Sequence, residues 1–365
     1  MKMNCLVNSF VASAIFAGAA IFCTSCQKNE LGKSAETIKK LNTDFYYMTV
    51  TSDAGFSDFI DRGGASSPDE LAAFLTEYLS SGPYGKLGVK VGSGDFACSA
   101  LRAADKQGTT ISGRNFDWDP CTGMIIRNIP GNGQYSSIST VNMDFLGFGD
   151  GYKPTGLINS FKAVAGVFVP LDGINEKGLV VADLMAGDKE VTDQRSSRPD
   201  LTTTSAIRLL LNRAANVGEA VDLLKRFDMH SDIGSAHHLF VADAKGESVA
   251  IEWVNNEMIV TPSKVLNNHY LCEQKKGTGS GPLSWQHEAS LLKSWDECGG
   301  VMGAEEMADA MFAAVELPDQ GGFGGTQWTV VYDSKEMSAT YYYRPDRAKS
   351  YTFFADNDLQ VFKGM

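Results

Sequence analysis

The chain is poor in the groups that most often announce a chemistry. It has 5 histidines in 365 residues, no Cys-x-x-Cys pair beyond the N-terminal Cys23 and Cys26, and no His-rich spacing, so neither a metal nor another cofactor is expected. It contains no Gly-x-Ser-x-Gly elbow, no Walker loop and no Gly-x-Gly-x-x-Gly behind a strand, and so lacks the signatures of the commonest hydrolase and nucleotide sites. Basic residues are outnumbered, 32 Lys and Arg against 44 Asp and Glu. The resulting net charge of −12 supplies no phosphate-neutralising face, which argues against a nucleic-acid partner. No apolar run approaches the roughly 20 residues that span a bilayer, and there is neither an internal repeat nor a long linker. What remains is a globular balance, 43% hydrophobic and 21% charged, in a chain long enough for a sizeable core.

The N-terminus reads as an export signal: Lys2, an apolar run from Phe10 to Phe22, then Thr24 and Ser25 before Cys26. Small residues before a Cys resemble a bacterial lipoprotein signal, with Cys23 standing where a Leu is common. Lipidation at Cys26 is favoured over simple secretory cleavage. The expectation is an exported protein facing the periplasm or cell exterior, touching the membrane only through an N-terminal lipid anchor. Of 7 cysteines, Cys98, Cys121, Cys272 and Cys298 stay in the body of the protein, and Cys272 with Cys298 is one pairing open to them.

Downstream, Gln27 to Ser34 is a polar tether. Ser67-Pro68-Asp69-Glu70 places an N-cap, an N1 proline and an N3 acid ahead of Leu71, Phe74, Leu75, Tyr78 and Leu79 on one face, predicting a helix. Leu87 to Val91 reads as a strand, and residues 27–97 as a folded, mainly helical segment. Strands are expected at Gly123 to Asn128, Ser136 to Asn142 and Ala165 to Val169, and a hairpin at Val169 to Leu184. Helices follow from Thr203 to Arg213 and from the Asn216/Glu219 capping box. His237 to Trp253 is a hairpin, Ser284 to Trp295 and Ala304 to Val315 are helical, and Thr326 to Asp333 pairs with Ala339 to Arg344. Antiparallel hairpins with helices in pairs suit a layered α+β domain.

The chemistry concentrates in Gly94 to Trp118, GDFACSALRAADKQGTTISGRNFDW. Apolar residues flank the polar turn at Lys106, Gln107 and Gly108, so the arms can pair and bring Arg114 and Asp117 back beside Cys98. A thiol of ordinary pKa about 8.5 is mostly protonated at neutral pH, and a guanidinium beside it favours the thiolate. If the bond before Cys98 is cut, the freed α-amino group, of pKa about 7.7–8.0, becomes a general base on the same residue. Asp117 then orients that amine.

This stretch resembles the N-terminal-nucleophile cysteine amidases, which include the choloylglycine (bile salt) hydrolases, penicillin V acylases and the acid ceramidase and N-acylethanolamine acid amidase group. In them an Arg follows the nucleophilic Cys by sixteen residues and an Asp by nineteen; here 114 − 98 = 16 and 117 − 98 = 19. The resemblance covers roughly Asp95 to the C-terminus. It implies an αββα four-layer sandwich with two antiparallel sheets over residues 98–365, with residues 27–97 becoming a small subunit after self-cleavage, behind the signal of residues 1–26 that ends on the lipobox-like Cys26. Asn268 in VLNNHY matches the oxyanion-stabilising Asn, with Asn267 the alternative register. Two positions depart from the pattern: Met185 stands where relatives carry an Asn or Tyr donor, and His287 where they carry an Arg. His287 reads as a solvated helix histidine, His237 and His238 as structural. The implied activity is hydrolysis of linear amide C–N bonds of small-molecule N-acyl amides, fatty-acid amides ahead of conjugated bile salts and penicillin V. Phe96, Phe116, Trp118, Met143, Phe145, Leu146, Phe148 and Met185 are candidates to face the acyl chain. A papain-like Cys-His enzyme would need a His partner, and Cys98 lacks that family's local signature. The rival of a different class is a surface lipoprotein that binds ligand without chemistry.

Overall fold

The structure is a computed structural model and describes residues 30–80, 87–92, 97–149, 152–232, 235–279, 281–318 and 324–364. The signal, Cys26 and Phe96 lie outside the described residues. In chain order the elements begin with helix α1 (30–36), β1 (Lys39–Asn42), β2 (Phe45–Val50), α2 (Phe56–Asp61) and α3 (Pro68–Ser80). The nucleophile hairpin is β3 (Ala97–Ala104) and β4 (Thr110–Asp117), followed by β5 (Gly123–Asn128), β6 (Ser137–Asn142), α4 (Leu157–Ala163), β7 (Asp172–Asn175) and β8 (Val180–Met185). Then come β9 (Asp200–Thr202), α5 (Thr203–Arg213), α6 (Val217–Leu224), β10 (Asp228–His230), β11 (His237–Ala242), β12 (Ser248–Val254), β13 (Glu257–Pro262) and β14 (Val265–Leu266). The chain closes with α7 (Pro282–Glu297), α8 (Ala304–Phe312), β15 (Thr326–Asp333), β16 (Ser338–Tyr343), β17 (Ser350–Phe354) and β18 (Gln360–Lys363).

Two sheets carry the fold: nine strands in the order β1-β2-β5-β6-β7-β8-β11-β12-β13, and seven in the order β14-β3-β4-β15-β16-β17-β18. Their facing sides share one core, in which Phe45, Ile125, Ile174 and Phe240 of the first meet Cys98, Phe116, Trp328 and Tyr341 of the second. Helices cover the outer faces. Leu71, Leu75 and Leu79 of α3, with Ile207 and Leu211 of α5, pack on Met48, Ile126 and Val181. Leu291 of α7, with Met307 and Met311 of α8, packs on Leu101, Ile111 and Val331. The result is the expected αββα layering, each sheet burying both faces.

Local signals explain most element boundaries. Leu71, Leu75 and Leu79 recur every fourth residue and are the buried stripe of α3. Its start is held by Ser67 Oγ accepting Glu70 N–H at 3.3 Å and by Glu70 accepting Ser66 N–H at 2.8 Å. At α6, Asn216 Oδ1 accepts Glu219 N–H at 3.0 Å while Glu219 accepts Ala215 N–H at 2.9 Å.

Several expectations are corrected. The 30–80 stretch is not purely helical, because β1 and β2 form one edge of the nine-stranded sheet, β2 running parallel to β5 from Phe45↔Gly123 to Val50↔Asn128. That sheet is therefore mixed rather than wholly antiparallel, and a small parallel pair, β9 with β10, adds a feature outside the two-sheet scheme. Leu87 to Val91 pairs with no strand; Gly92 N–H instead donates to Phe145 O at 2.5 Å. Ala165 to Val169 is not a strand, since Val164–Phe168 forms a 3-10 turn that continues α4, a short apolar run being compatible with either conformation. All four cysteines of the described residues are free, so Cys272 and Cys298 are not paired.

Candidate active site

The β3–β4 hairpin sets the site. Its register pairs Ala97 with Asp117, Cys98 with Phe116 and Ala100 with Arg114. The turn is tightened by Asp105 Oδ1, which accepts Gln107 and Thr109 N–H, and by Gly108 at φ 83°. Alternation then sends Cys98, Ala100, Arg114 and Phe116 into the core between the sheets, while Ser99 and Asn115 face α7 and α8. Gly113 stands where any Cβ would collide with Met311 and Met307 of α8, so glycine lets that helix close on the hairpin.

Cys98 is completely buried, and Arg114 Nη2 donates to its Sγ at 3.2 Å. The same nitrogen donates to Asp183 O at 3.1 Å, and Arg114 Nε pairs with Asp172 Oδ2 at 3.1 Å. Asp172 is fixed in turn by Trp328 Nε1 at 3.0 Å and Tyr332 OH at 2.9 Å, and the guanidinium lies over the Phe116 ring at 5.0 Å. Burial works against the arginine charge, but Cys98, Asp172, Tyr332 and Asp183 together raise its pKa. The thiol behaves otherwise than the sequence suggested. Burial pushes Cys98 well above its usual pKa, the Arg114 charge opposes this without overcoming it, and Asp117, Asp183 and Asp172 add to the rise. In the uncut chain the thiol is protonated.

Asp117 ends β4 opposite Ala97, wholly buried. Its Oδ1 accepts Thr326 Oγ1–H at 2.6 Å, and Oδ2 has no hydrogen-bond partner among the described residues. Burial raises its pKa to about 7; Thr326 lowers it, Glu316 raises it and Arg114 lowers it. Asn268 reaches the nucleophile from the strand-end loop after β14: its Oδ1 accepts Cys98 N–H at 2.8 Å and its Nδ2 donates to Met185 O at 2.9 Å. Its own N–H is held by Ser284 Oγ at 2.9 Å, an oxygen also 2.8 Å from His269 Nδ1. Gly279, at φ 137°, packs so close to Asn268 O and Ala186 O that a Cβ there has no room.

Thus Cys98, Arg114, Asp117 and Asn268 converge at one end of the seven-stranded sheet. Between the two asparagines the register favours Asn268; Asn267 instead donates through Nδ2 to Ser99 Oγ at 2.9 Å. Met185 contributes its carbonyl rather than a side-chain donor. His287 is not solvated: it is buried, with Nδ1 3.4 Å from Ser99 Oγ, and burial lowers its pKa. His237 faces Asp183 at 2.9 Å, and His238 bridges Glu252 and Asn267 O. Phe116, Met143 and Met185 lie in the core, while Trp118 meets Phe145 edge-on at 5.6 Å. Sequence reasoning missed Asp172 and Thr326. A buried arginine demands a carboxylate, but the strand Asp172–Asn175, DGIN, carries no local mark of which partner its acid meets across the sheets.

Two sheets face to face with a buried cysteine at the start of a strand define the N-terminal-nucleophile class of fold. Residues 98–270, which begin at that cysteine, match the linear amide C–N hydrolases of the choloylglycine hydrolase family. A penicillin V acylase from Pectobacterium atrosepticum is 24% identical over 225 residues, covering 56% of this chain. The match spans 54%, about half, of that curated relative's length. Among solved structures, two variants of conjugated bile acid hydrolase from Clostridium perfringens share the fold at TM-scores of 0.53 and 0.52, each 16% identical and covering 73% of this chain and 96% of theirs.

Proposed function

We propose that the protein is a cysteine amidase that hydrolyses linear amide bonds of N-acyl amides after cutting its own chain between Ala97 and Cys98. The observation that carries this reading is the contact set on one residue: Arg114 on Cys98 Sγ at 3.2 Å and Asn268 on Cys98 N at 2.8 Å. In the uncut chain residue 98 has no amine, so its protonated thiol is latent. Self-cleavage begins when Sγ attacks the Ala97 carbonyl carbon. The C–N bond breaks, the thiol proton passes to the departing nitrogen, and water hydrolyses the thioester to an Ala97 carboxylate and the free thiol. The new α-amine then takes the thiol proton in each turnover, and Asp117 orients it. Arg114 stabilises the thiolate, and Asn268 with backbone N–H groups stabilises the oxyanion. The amine product leaves, and water releases the acid.

Residues 27–97 are then a small subunit and 98–365 the catalytic one, both exported and anchored through Cys26. Fatty-acid amides are the favoured substrates, because the segment before Cys98 is long and structured and because Trp118, Phe145 and Phe148 lie just beyond Asp117. Conjugated bile acids and penicillin V, which name the activities of the relatives, are the competitors. Each methylene fully buried in an acyl site contributes about 0.8 kcal/mol, roughly fourfold in kcat/KM. Across a series of N-acyl amides kcat/KM is expected to climb with acyl length. A flat response with sharp discrimination between glycine and taurine conjugates of one bile acid overturns the fatty-amide assignment. An intact, unreactive Cys98 chain overturns the amidase and favours a ligand-binding lipoprotein.

A further inference from the structure

An apolar patch stands out on the surface where the described chain begins. Leu157 is 68% exposed, Ile158 49% and Tyr152 37%. Leu157 and Ile158 form the first turn of α4, whose inward side chains are Phe161 and Ala163. The patch is braced rather than loose: Lys153 pairs with Asp44 at 2.8 Å and donates to Thr122 at 3.2 Å, and Asn159 Nδ2 donates to Lys153 O at 3.0 Å. Two adjacent aliphatic side chains held outward on a fixed turn carry an unfavourable hydration that a bare surface does not relieve.

Two observations say what covers it. Helix α1 lies alongside, since Gly32, Ala35 and Ile38 form a shared groove with Pro154, Gly156 and Leu157. That helix starts at Glu30, four residues after Cys26, a reach of at most about 14 Å. A lipid on Cys26 therefore brings this face, and not the opposite one, against the bilayer. The second observation is two aromatic contacts between the patch and the nucleophile, linked along the backbone rather than by packing, since Phe148 and Phe145 belong to separate apolar clusters. Tyr152 stacks on Phe148 at 5.2 Å, Phe148 follows the turn that holds Phe145, and Phe145 meets Trp118 at 5.6 Å, one residue past Asp117.

We propose that the Tyr152–Ile158 surface docks on the lipid bilayer, Leu157 and Ile158 entering its interface, so that acyl amides reach Cys98 from the membrane rather than from bulk water. This rests on the lipid-anchor and amidase readings above. The anchor holds the chain near the membrane; the patch orients it. Leu157 and Ile158 side by side suit an interfacial contact, with exposed Glu36 lining the same groove, while a second copy of this chain is the occupant the test must exclude.

The test uses the full-length lipoprotein in phosphatidylethanolamine–phosphatidylglycerol vesicles. Leu157→Trp should be quenched by brominated lipid, and Val301→Trp, an exposed apolar position on the α7–α8 side, should not. Equal quenching of the two, or none, overturns the docking whatever the enzyme does. The second readout compares a water-soluble short-chain amide with a long-chain amide dissolved in the vesicles. Leu157→Asp/Ile158→Asp should leave the first rate unchanged and lower the second about tenfold or more, with Val301→Asp unaffected on both. Equal rates on the vesicle substrate, equal loss on both substrates, or a dimer that the double variant dissolves each overturn the proposal. Quenching of Leu157→Trp together with a wild type that hydrolyses neither substrate sinks the amidase reading and leaves the docking standing.

Discussion

The side-chain oxygen of Asn268 accepts the backbone N–H of Cys98 at 2.8 Å, joining residues 170 apart in the chain. The contact fixes the nitrogen that self-cleavage would turn into the catalytic base, so the loop after β14 and the start of β3 are positioned as a unit. Around it, Asn267 bonds Ser99, and His238 bonds Asn267 O, so the neighbours of both residues are pinned as well. Fixing the reacting nitrogen before the bond is cut lowers the entropic cost of the later proton transfer.

Cys98→Ala should leave one intact chain with no amidase activity, whereas wild type should yield pieces ending at Ala97 and starting at Cys98. Intact-mass measurement reads both. A wild-type chain that is active but uncut contradicts the mechanism.

Arg114→Lys should lower kcat on the order of 100-fold or more while the far-ultraviolet spectrum is kept. The lysine charge is a point, and it cannot reach Cys98 Sγ, Asp183 O and Asp172 together as the guanidinium does. Asp172, left buried without its fork, should also lower Tm by several degrees. Turnover near wild type makes Arg114 a packing residue only.

Asp117 carries a pH signature. Its pKa is raised to about 7 by burial, so the native state binds this proton more tightly than the unfolded chain does. The contribution to stability is complete below about pH 4 and is lost as pH climbs through about 7, at most about 4 kcal/mol. In the uncut Cys98→Ala chain, where no α-amine stands beside it, Asp117→Asn, which cannot ionise, should therefore raise Tm at pH 8 relative to Cys98→Ala alone and flatten the profile between pH 4 and 7. Thermal melts across that range check it; parallel profiles for the two proteins contradict it.

Ser284→Ala removes the acceptor of Asn268 N–H and the partner of His269. A buried donor left unpaired costs about 1–3 kcal/mol. Because the displaced group is aimed at Cys98, the loss should fall on kcat and on the rate of self-cleavage, with KM little changed. Ser284→Thr, which restores the oxygen, should recover most of it.

Sequence revealed what is local and what is spaced. The hairpin that holds Cys98, Arg114 and Asp117 was legible because its turn residues and alternation are contiguous, and Thr203–Arg213 carried its boundaries in its N-cap and periodicity. Asp172 was not legible, because a carboxylate on β7 meets Arg114 only once the two sheets are stacked. Nor was β2: FYYMTV has the composition of a strand, but its partner β5 lies beyond the nucleophile hairpin, and a parallel pairing leaves no turn signal. His287 looked solvated on a helix of mixed polarity; the face it occupies became the buried one only when α7 settled on β3.

The interior position of β2 has a further consequence. Tyr47 stacks on Phe353 at 4.5 Å and Phe45 on Tyr343 at 5.0 Å, so the piece that the proposed cleavage would separate holds part of the central core as well as a sheet strand. Before the cut, folding is a single-chain event, independent of dilution. Afterwards the same native contacts join two molecules, and recovering them from the denatured state becomes a second-order encounter whose yield falls with concentration. On the proposed reading, the cut that switches the enzyme on would also make refolding bimolecular, so that the rate at which the two pieces come apart would govern the lifetime of the working enzyme.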